Sequence, residues 1–295
     1  MRYVTYDENG TSRLGAVVGD DVVDIAAVIP GAPATMLDLI GADASVHHQL
    51  RDGLGAAGMP RRPLADCRLM APLLNAGKFI CLGLNYAEHA KEGGHALPDY
   101  PSLFLRASTS LIGPDEPMIV PTCSEKLDYE AELVIVVGKR CRHVREEDAK
   151  DVIFGYSVFN DGSVRDYQRR TAQWTAGKNF DGTGAFGPWI VTRDEVAPGA
   201  HGLGIRSRLN GKVMQDSNTE HMIFNVPRTI AILSEIMTLE PGDLIATGTP
   251  SGVGHARKPP VWMRPGDVVE VEVDGVGTLR NPIVAEADMG RKDPA

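Results

Sequence analysis

The segment Leu133-Val134-Ile135-Val136-Val137 does most to restrict what this chain can fold into. It is a continuous aliphatic run, rich in β-branched residues and stopped by Gly138-Lys139. Side chains of that kind lose rotamer freedom in a helix and pack well on a pleated sheet, so the run predicts a strand. Residues 152–159 form a second apolar run, and residues 78–83 a third that reads as a buried strand. Asn210-Gly211, between 205–209 and 212–214, is a two-residue hairpin signal. Asp274-Gly275 is another, between 276–279 and the alternating apolar-acidic stretch 268–273, which reads as a half-exposed strand. The clearest helix covers residues 226–237, with Ile230, Leu233, Ile236 and Met237 on one face. Many strands and few long helices predict an α+β fold that is mainly β, rather than βαβ units around a parallel sheet.

The first 65 residues read as a small α/β unit of their own. Short strands are expected at 2–6, 13–18 and 22–25, with a turn at Gly19-Asp20-Asp21 and helical pieces at 36–40 and 48–54. Gly58-Met59-Pro60-Arg61-Arg62-Pro63 breaks any helix and reads as a linker. The expected division is a small domain over 1–65 and a strand-dominated catalytic domain over 66–295. A 60-residue piece is marginal alone, so it should dock on the larger one.

Charge narrows the function. The 30 Lys and Arg against 39 Asp and Glu leave a formal −9, which argues against a nucleic-acid partner. Anionic substrates stay open, because a local cation can outweigh a distant net charge. No run approaches the ~18 apolar residues of a membrane span. The N-terminus has no apolar signal region, and Cys67, Cys81, Cys123 and Cys141 include no C-x-x-C pair. Free thiols and a cytoplasmic protein are the expectation.

Four constellations can carry chemistry. In Asp128-Tyr129-Glu130-Ala131-Glu132, a strand would project Glu130 and Glu132 to one face, joined by Asp128 if the strand starts early. Like charges there are balanced by a hard divalent cation, or by water at a solvated edge. Asp161, between an apolar strand and Gly162, supplies a third carboxylate or sits in an ordinary turn. His89 and Glu92 share one face of a helix, as a water-activating pair or a surface ion pair. Lys178, between Gly177 and Asn179-Phe180, can bring a cation to an anionic ligand, and Thr249 lies in a glycine-rich loop, 247–254, that can offer N–H groups to one. That loop lacks a P-loop ending and G-x-G-x-x-G spacing, and no G-x-S-x-G elbow is present, so nucleotide binding and α/β-hydrolase chemistry are disfavoured. The remaining histidines, His95 among them, show no metal-ligand spacing.

In order along the chain stand Gly83-Leu84-Asn85-Tyr86 with His89 and Glu92, Pro101 to Arg106, Asp128 to Leu133, and Asn160-Asp161 with Arg165, Asp166 and Gln168. Lys178 to Asp181, Leu239 to Asp243, Thr247 to Gly254 and Pro265-Gly266-Asp267 follow. Together these resemble the fumarylacetoacetate hydrolase family over about residues 70–286. The resemblance implies a mixed β-sandwich-like roll, a homodimer, and one Mg²⁺ or Mn²⁺ held by Glu130, Glu132 and Asp161. It implies His89 and Glu92 as the water-activating pair on a lid segment and Lys178 as a substrate contact near the metal. Arg165, Gln168 and Thr249 fall where relatives line or support the pocket. Arg106 stands where relatives commonly have Lys, as a further substrate-binding cation. The implied activity is metal-dependent hydrolysis of a C–C bond in an acylpyruvate or related small 2,4-dioxo acid. Oxaloacetate decarboxylation and hydroxydienoate isomerisation use the same site. A non-catalytic metal- or ligand-binding module is the alternative of another class. The stretch 255–263 resembles that of a subset including sugar-acid and aromatic-catabolic enzymes, and either shapes one end of the pocket or is a structural loop.

Overall fold

The computed structural model describes residues 1–56, 58–94 and 96–289; Ala57, His95 and residues 290–295 lie outside it. The aliphatic run lies in a strand, Ala131–Val137, whose every residue is buried. Its alternate side chains feed two cores. Leu133, Ile135 and Val137 share one with Ile205, Val269, Val271 and Leu279. Val134 and Val136 share the other with Phe79, Phe159, Phe186, Leu39 and Leu50. Burial on both faces explains why the segment shows no polar alternation. Each such side chain contributes on the order of 1.5–3 kcal/mol.

The first core lies between two sheets. The larger is a twelve-stranded sheet, ten of whose strands run from one edge through Arg62–Pro63, Asp21–Asp24, Thr11–Val18, Arg2–Glu8, Gly184–Thr192, Ile153–Asp161, Ala131–Val137, Leu244–Ala246 and Phe79–Gly83 to Ser102–Leu105, while Arg68–Met70 pairs with Arg2–Glu8 and Leu111–Ile112 with Gly184–Thr192 off this path. The smaller, five-stranded sheet runs Lys212–Asn218, Gly204–Leu209, Val268–Val273, Gly277–Ala285 and Met118–Val120. The second core is covered by the helices Met36–Ile40 and Ala44–Gly53, which bury Leu39 and Leu50. This is the mainly-β α+β architecture that the strand pattern predicts.

Two local expectations differ from the structure, and one strand goes unanticipated. The 58–63 stretch is more than a connector: Arg62 and Pro63 pair with Val22 and Asp21, at the sheet edge where proline costs no ladder bond. Arg2 and Tyr3 pair with Val191 and Ile190, so the N-terminal strands continue the large sheet. Gly184–Thr192 carries no clean strand signal because Gly187-Pro188 interrupts it. Proline there lacks an N–H, the pairing register with the 153–161 strand shifts, and the Ser157 hydroxyl donates to Trp189 O at 2.6 Å.

The Asn210-Gly211 hairpin is present, with positive φ at both residues and Leu209 opposite Lys212. The second hairpin closes one residue later, with Val273 opposite Gly277 and Val276 turned into the core. The four cysteines are unpaired. Among the described residues no helix is long and apolar enough to cross a membrane.

Candidate active site

Sheet register builds the centre of the site. Ala131 lies opposite Asn160 and Glu132 opposite Phe159, and Asp161 N donates to Glu130 O at 2.9 Å. Opposite residues on antiparallel strands share a face, so Glu130, Glu132 and Asp161 emerge together at two strand ends. One oxygen from each lies within 4.8 Å of the others, and all three residues are buried. Asn160 fixes the bend, its Oδ1 accepting from Glu130 N at 3.0 Å.

Cations surround this acid cluster unevenly. Lys178 Nζ lies 2.6 Å from both Glu130 Oε2 and Asp161 Oδ2. Arg165 reaches Glu130 Oε1 at 2.6 Å, and Arg106 pairs with the other Asp161 oxygen. Burial alone would raise Glu130, but Lys178 and Arg165 outweigh it and hold the carboxyl well below the usual range. Burial also works against the Lys178 ammonium, yet Asp161 and Glu130 raise its pKa above the ordinary lysine value. Glu132 has no such cover. Burial first, then the charges of Asp161 and Glu130, push its carboxyl well up, against one N–H bond from Gly248 at 2.9 Å. Three convergent buried carboxylates, one starved of positive charge, suit a hard divalent cation that takes oxygen ligands, so Mg²⁺ or Mn²⁺ fits the donor set.

The helix Ala87–Glu92 carries the second group of residues. His89 Nδ1 lies 2.9 Å from Glu92 Oε1, which leaves Nε2 as the ring nitrogen for the cavity. Gly252 N donates to both Glu92 oxygens at 3.1 and 3.0 Å, tying this helix to the glycine-rich loop. His89, the acid triad and Lys178 line one cavity of about 450 Å³.

Comparison with known proteins places the chain in a family. Residues 78–284 match the fumarylacetoacetate (FAA) hydrolase C-terminal family model. The chain belongs to the fumarylacetoacetate hydrolase family. Among curated relatives, a mitochondrial oxaloacetate tautomerase of Xenopus laevis is 38% identical over 290 residues, covering 96% of this chain and 90% of its own. Among solved structures, a fumarylacetoacetate hydrolase from Exiguobacterium antarcticum aligns with TM-score 0.85 at 36% identity, covering 97% of this chain and all of the other. A maleylpyruvate hydrolase from Sphingobium sp. SYK-6, in complex with manganese(II) and pyruvate, aligns with TM-score 0.81 at 34% identity, over 97% and 99% of the two chains.

Within this family fold, the site residues expected from sequence fall into two shells. His89, Glu130, Glu132, Asp161, Lys178, Arg165, Gln168 and Thr249 line the cavity. Glu92 stands behind His89. Arg106 does not line the cavity. Its side chain is fully enclosed behind Asp161, donating to Gly162 O at 3.1 Å, Thr183 Oγ1 at 3.0 Å and Ser110 Oγ at 3.2 Å. A contact with substrate gives way there to a hold on Asp161. Asp128 does not join the triad either, because its strand, Leu127–Asp128, pairs with Ser163–Val164 instead. Its carboxylate accepts from Arg165 Nε at 2.8 Å.

The roles of three residues escape sequence reasoning. Gln215 Nε2 donates to Thr249 Oγ1 and Pro250 O, both at 2.8 Å, while its Oε1 accepts from Ala131 N at 3.0 Å. It thereby locks the glycine-rich loop to the metal-bearing strand. Asn85 does similar work, donating to Thr247 O and Phe224 O. Both polar side chains are fully buried, but neither lies in a spacing pattern that marks it. The third is Trp174, packed so closely on Gly83 that a Cβ there would meet its ring at 2.0 Å.

Proposed function

We propose that this enzyme hydrolyses a C–C bond in an acylpyruvate or related 2,4-dioxo acid, giving pyruvate and a carboxylic acid. The formed His89–Glu92 pair, on the same cavity as the acid triad, carries this reading. Glu130, Glu132 and Asp161 would hold a divalent cation, which would supply Lewis acidity and offset the charge of a 2-oxo acid. Glu92 orients the imidazole through Nδ1, and His89 takes a proton from water at Nε2. Gly252 N also bonds Glu92, which ties the pair to the glycine-rich loop. The hydroxide adds to the acyl carbonyl, the C–C bond breaks to give the carboxylic acid and the pyruvate enolate, and Lys178 puts positive charge where negative charge develops on that enolate. His89 then returns the proton to carbon.

The experiment is a panel of acylpyruvates and oxaloacetate with Mg²⁺, read by pyruvate release. Pyruvate from none of the acylpyruvates overturns the proposal, whatever oxaloacetate yields. His89→Ala should abolish hydrolysis, and a wild-type rate in that variant refutes the role of the pair. A second reading, enol–keto exchange of oxaloacetate, is favoured by the near full-length similarity to the tautomerase. That reaction needs proton transfer at one carbon and no attacking water, so a far higher kcat/KM for exchange than for hydrolysis selects it. A homodimer is part of the proposal, checked by light scattering.

A further inference from the structure

Glu92 stands one step back from the cavity, and a single backbone residue meets its carboxylate from the glycine-rich loop. Gly252 N donates to both Glu92 oxygens, at 3.1 and 3.0 Å. Gly252 sits at φ +101°, where glycine is favoured, and a Cβ there would meet Met214 O at 2.4 Å. The direction of that N–H therefore depends on whatever fixes Gly252. Gln215 fixes only the earlier part of the loop, at Thr249 and Pro250.

Tyr129 and Arg257 hold the rest. The Tyr129 hydroxyl donates to Gly252 O at 3.2 Å. Arg257 Nε lies 3.2 Å from that same carbonyl and 3.2 Å from the Tyr129 hydroxyl. Arg257 Nη2 reaches Met214 O, the carbonyl that faces Gly252 from the five-stranded sheet. Tyr129 is completely buried, and neither side chain belongs to the cavity lining. Among the described residues Arg257 makes no ion pair; its bonds go to carbonyl and hydroxyl oxygens.

Hydrogen bonds from a charged donor are the stronger ones, and a planar guanidinium gives them a fixed direction. One that bonds the Gly252 carbonyl and the carbonyl pressed against Gly252 is placed to set backbone geometry. We propose that Arg257 is a positioning residue for the His89–Glu92 pair. With Tyr129 it fixes Gly252, the Gly252 N–H fixes the Glu92 carboxylate, and Glu92 holds the imidazole with Nε2 toward the cavity. The 255–263 stretch thus acts on the pair through the glycine-rich loop. This rests on the reading of His89 as the base that takes a proton from water, and it deepens that reading by naming what aims the base.

The test uses Mg²⁺-loaded protein and acetylpyruvate. Arg257→Ala should lower kcat about 10–100-fold, the effect of a small misplacement of a reacting group, with KM within about twofold of wild type. Mg²⁺ affinity should not change. In a Glu92→Ala background the same substitution should lower kcat no further, because the group through which it acts is gone. The His89 ring gives a readout that needs no turnover, by ¹⁵N NMR of histidine-labelled protein. Wild type should show one neutral tautomer, with the proton on Nδ1, and Arg257→Ala a mixture of both. Should Arg257→Ala fail to fold, Arg257→Lys, which keeps the charge and one donor, should show the same changes in smaller measure. A wild-type rate in His89→Ala, or no turnover of acetylpyruvate, sinks the reading of His89 as the base, and the ring signature then decides the positioning role by itself. A folded variant whose His89 ring keeps the wild-type signature overturns the proposal. So does a loss of kcat that is undiminished in the absence of Glu92.

Discussion

Arg106 offers the sharpest test of how this site is built, because its charge suggests one role and its location another. The guanidinium is walled in by Asp161, Gly162 O, Thr183 and Ser110 and lies 5.4 Å above the Phe159 ring. The side chains of Arg106 and Asp161 are both 0% exposed. Arg106→Ala leaves one Asp161 oxygen charged, buried and unpartnered, which costs about 3–5 kcal/mol. Arg106→Lys keeps the charge but cannot make all the remaining bonds. Losing one or two of them, at about 1 kcal/mol each, predicts a milder loss of about 1–3 kcal/mol.

Urea unfolding read by both fluorescence and circular dichroism, in chelator and then in excess Mg²⁺, measures these losses and checks for coincident transitions. A cation bound beside Asp161 replaces part of the missing charge, so the Arg106→Ala deficit should shrink in Mg²⁺. Because Arg106 orients a metal ligand, Mg²⁺ affinity should fall about 10–100-fold, with KM unchanged once metal is saturating. Wild-type stability and metal affinity together with a raised KM would refute the reasoning, since that pattern belongs to a residue touching substrate.

Two further outcomes follow from the uneven charges. Glu132 has a folded pKa above its ordinary 4.5, so its contribution to metal-free stability is full below that value and lost as pH rises through the raised one. Glu132→Gln should therefore weaken the fall in metal-free Tm as pH rises above 4.5 while removing Mg²⁺ binding; curves parallel to wild type would contradict this. Lys178→Met should lower kcat by about 10²–10³, destabilise the metal-free protein and leave Mg²⁺ binding intact, as read by titration.

Some of this was readable in the chain because it is local. The β-branched run, the Asn-Gly turn and the His89–Glu92 spacing each depend on neighbours a few residues away. The grouping of Glu130 with Glu132 is local as well, a matter of strand parity. Asp161 joins them through the register of two strands 30 residues apart, which spacing alone does not reveal. The places of Arg106 and Asp128 depend on packing across the sheet. A positive charge after an apolar strand looks the same in sequence whether it faces the cavity or the back of a carboxylate. Gln215 left no signal and Asn85, though part of a quoted motif, no sign of its role, since a single buried amide has no period.

Those non-local contacts give the site its logic. Arg106, Asp161, Lys178, Glu130, Arg165, Asp128 and His255 form one unbroken series of alternating positive and negative or ionisable groups. Buried ion pairs of this kind add little net stability against an apolar replacement, so their value lies in fixing geometry. At one end the series positions the acid triad, and at the other it orients the His255 imidazole in the lining of the same cavity. Asp128 is the acid that parity alone would add to the metal group. In the fold it is the joint between the two ends, bonded to Arg165 on one side and His255 on the other. An Asp128→Asn substitution preserves its shape and weakens both attachments, so it should disturb metal affinity and KM together. A loss of one with the other untouched would mean that the two ends of the series are built independently.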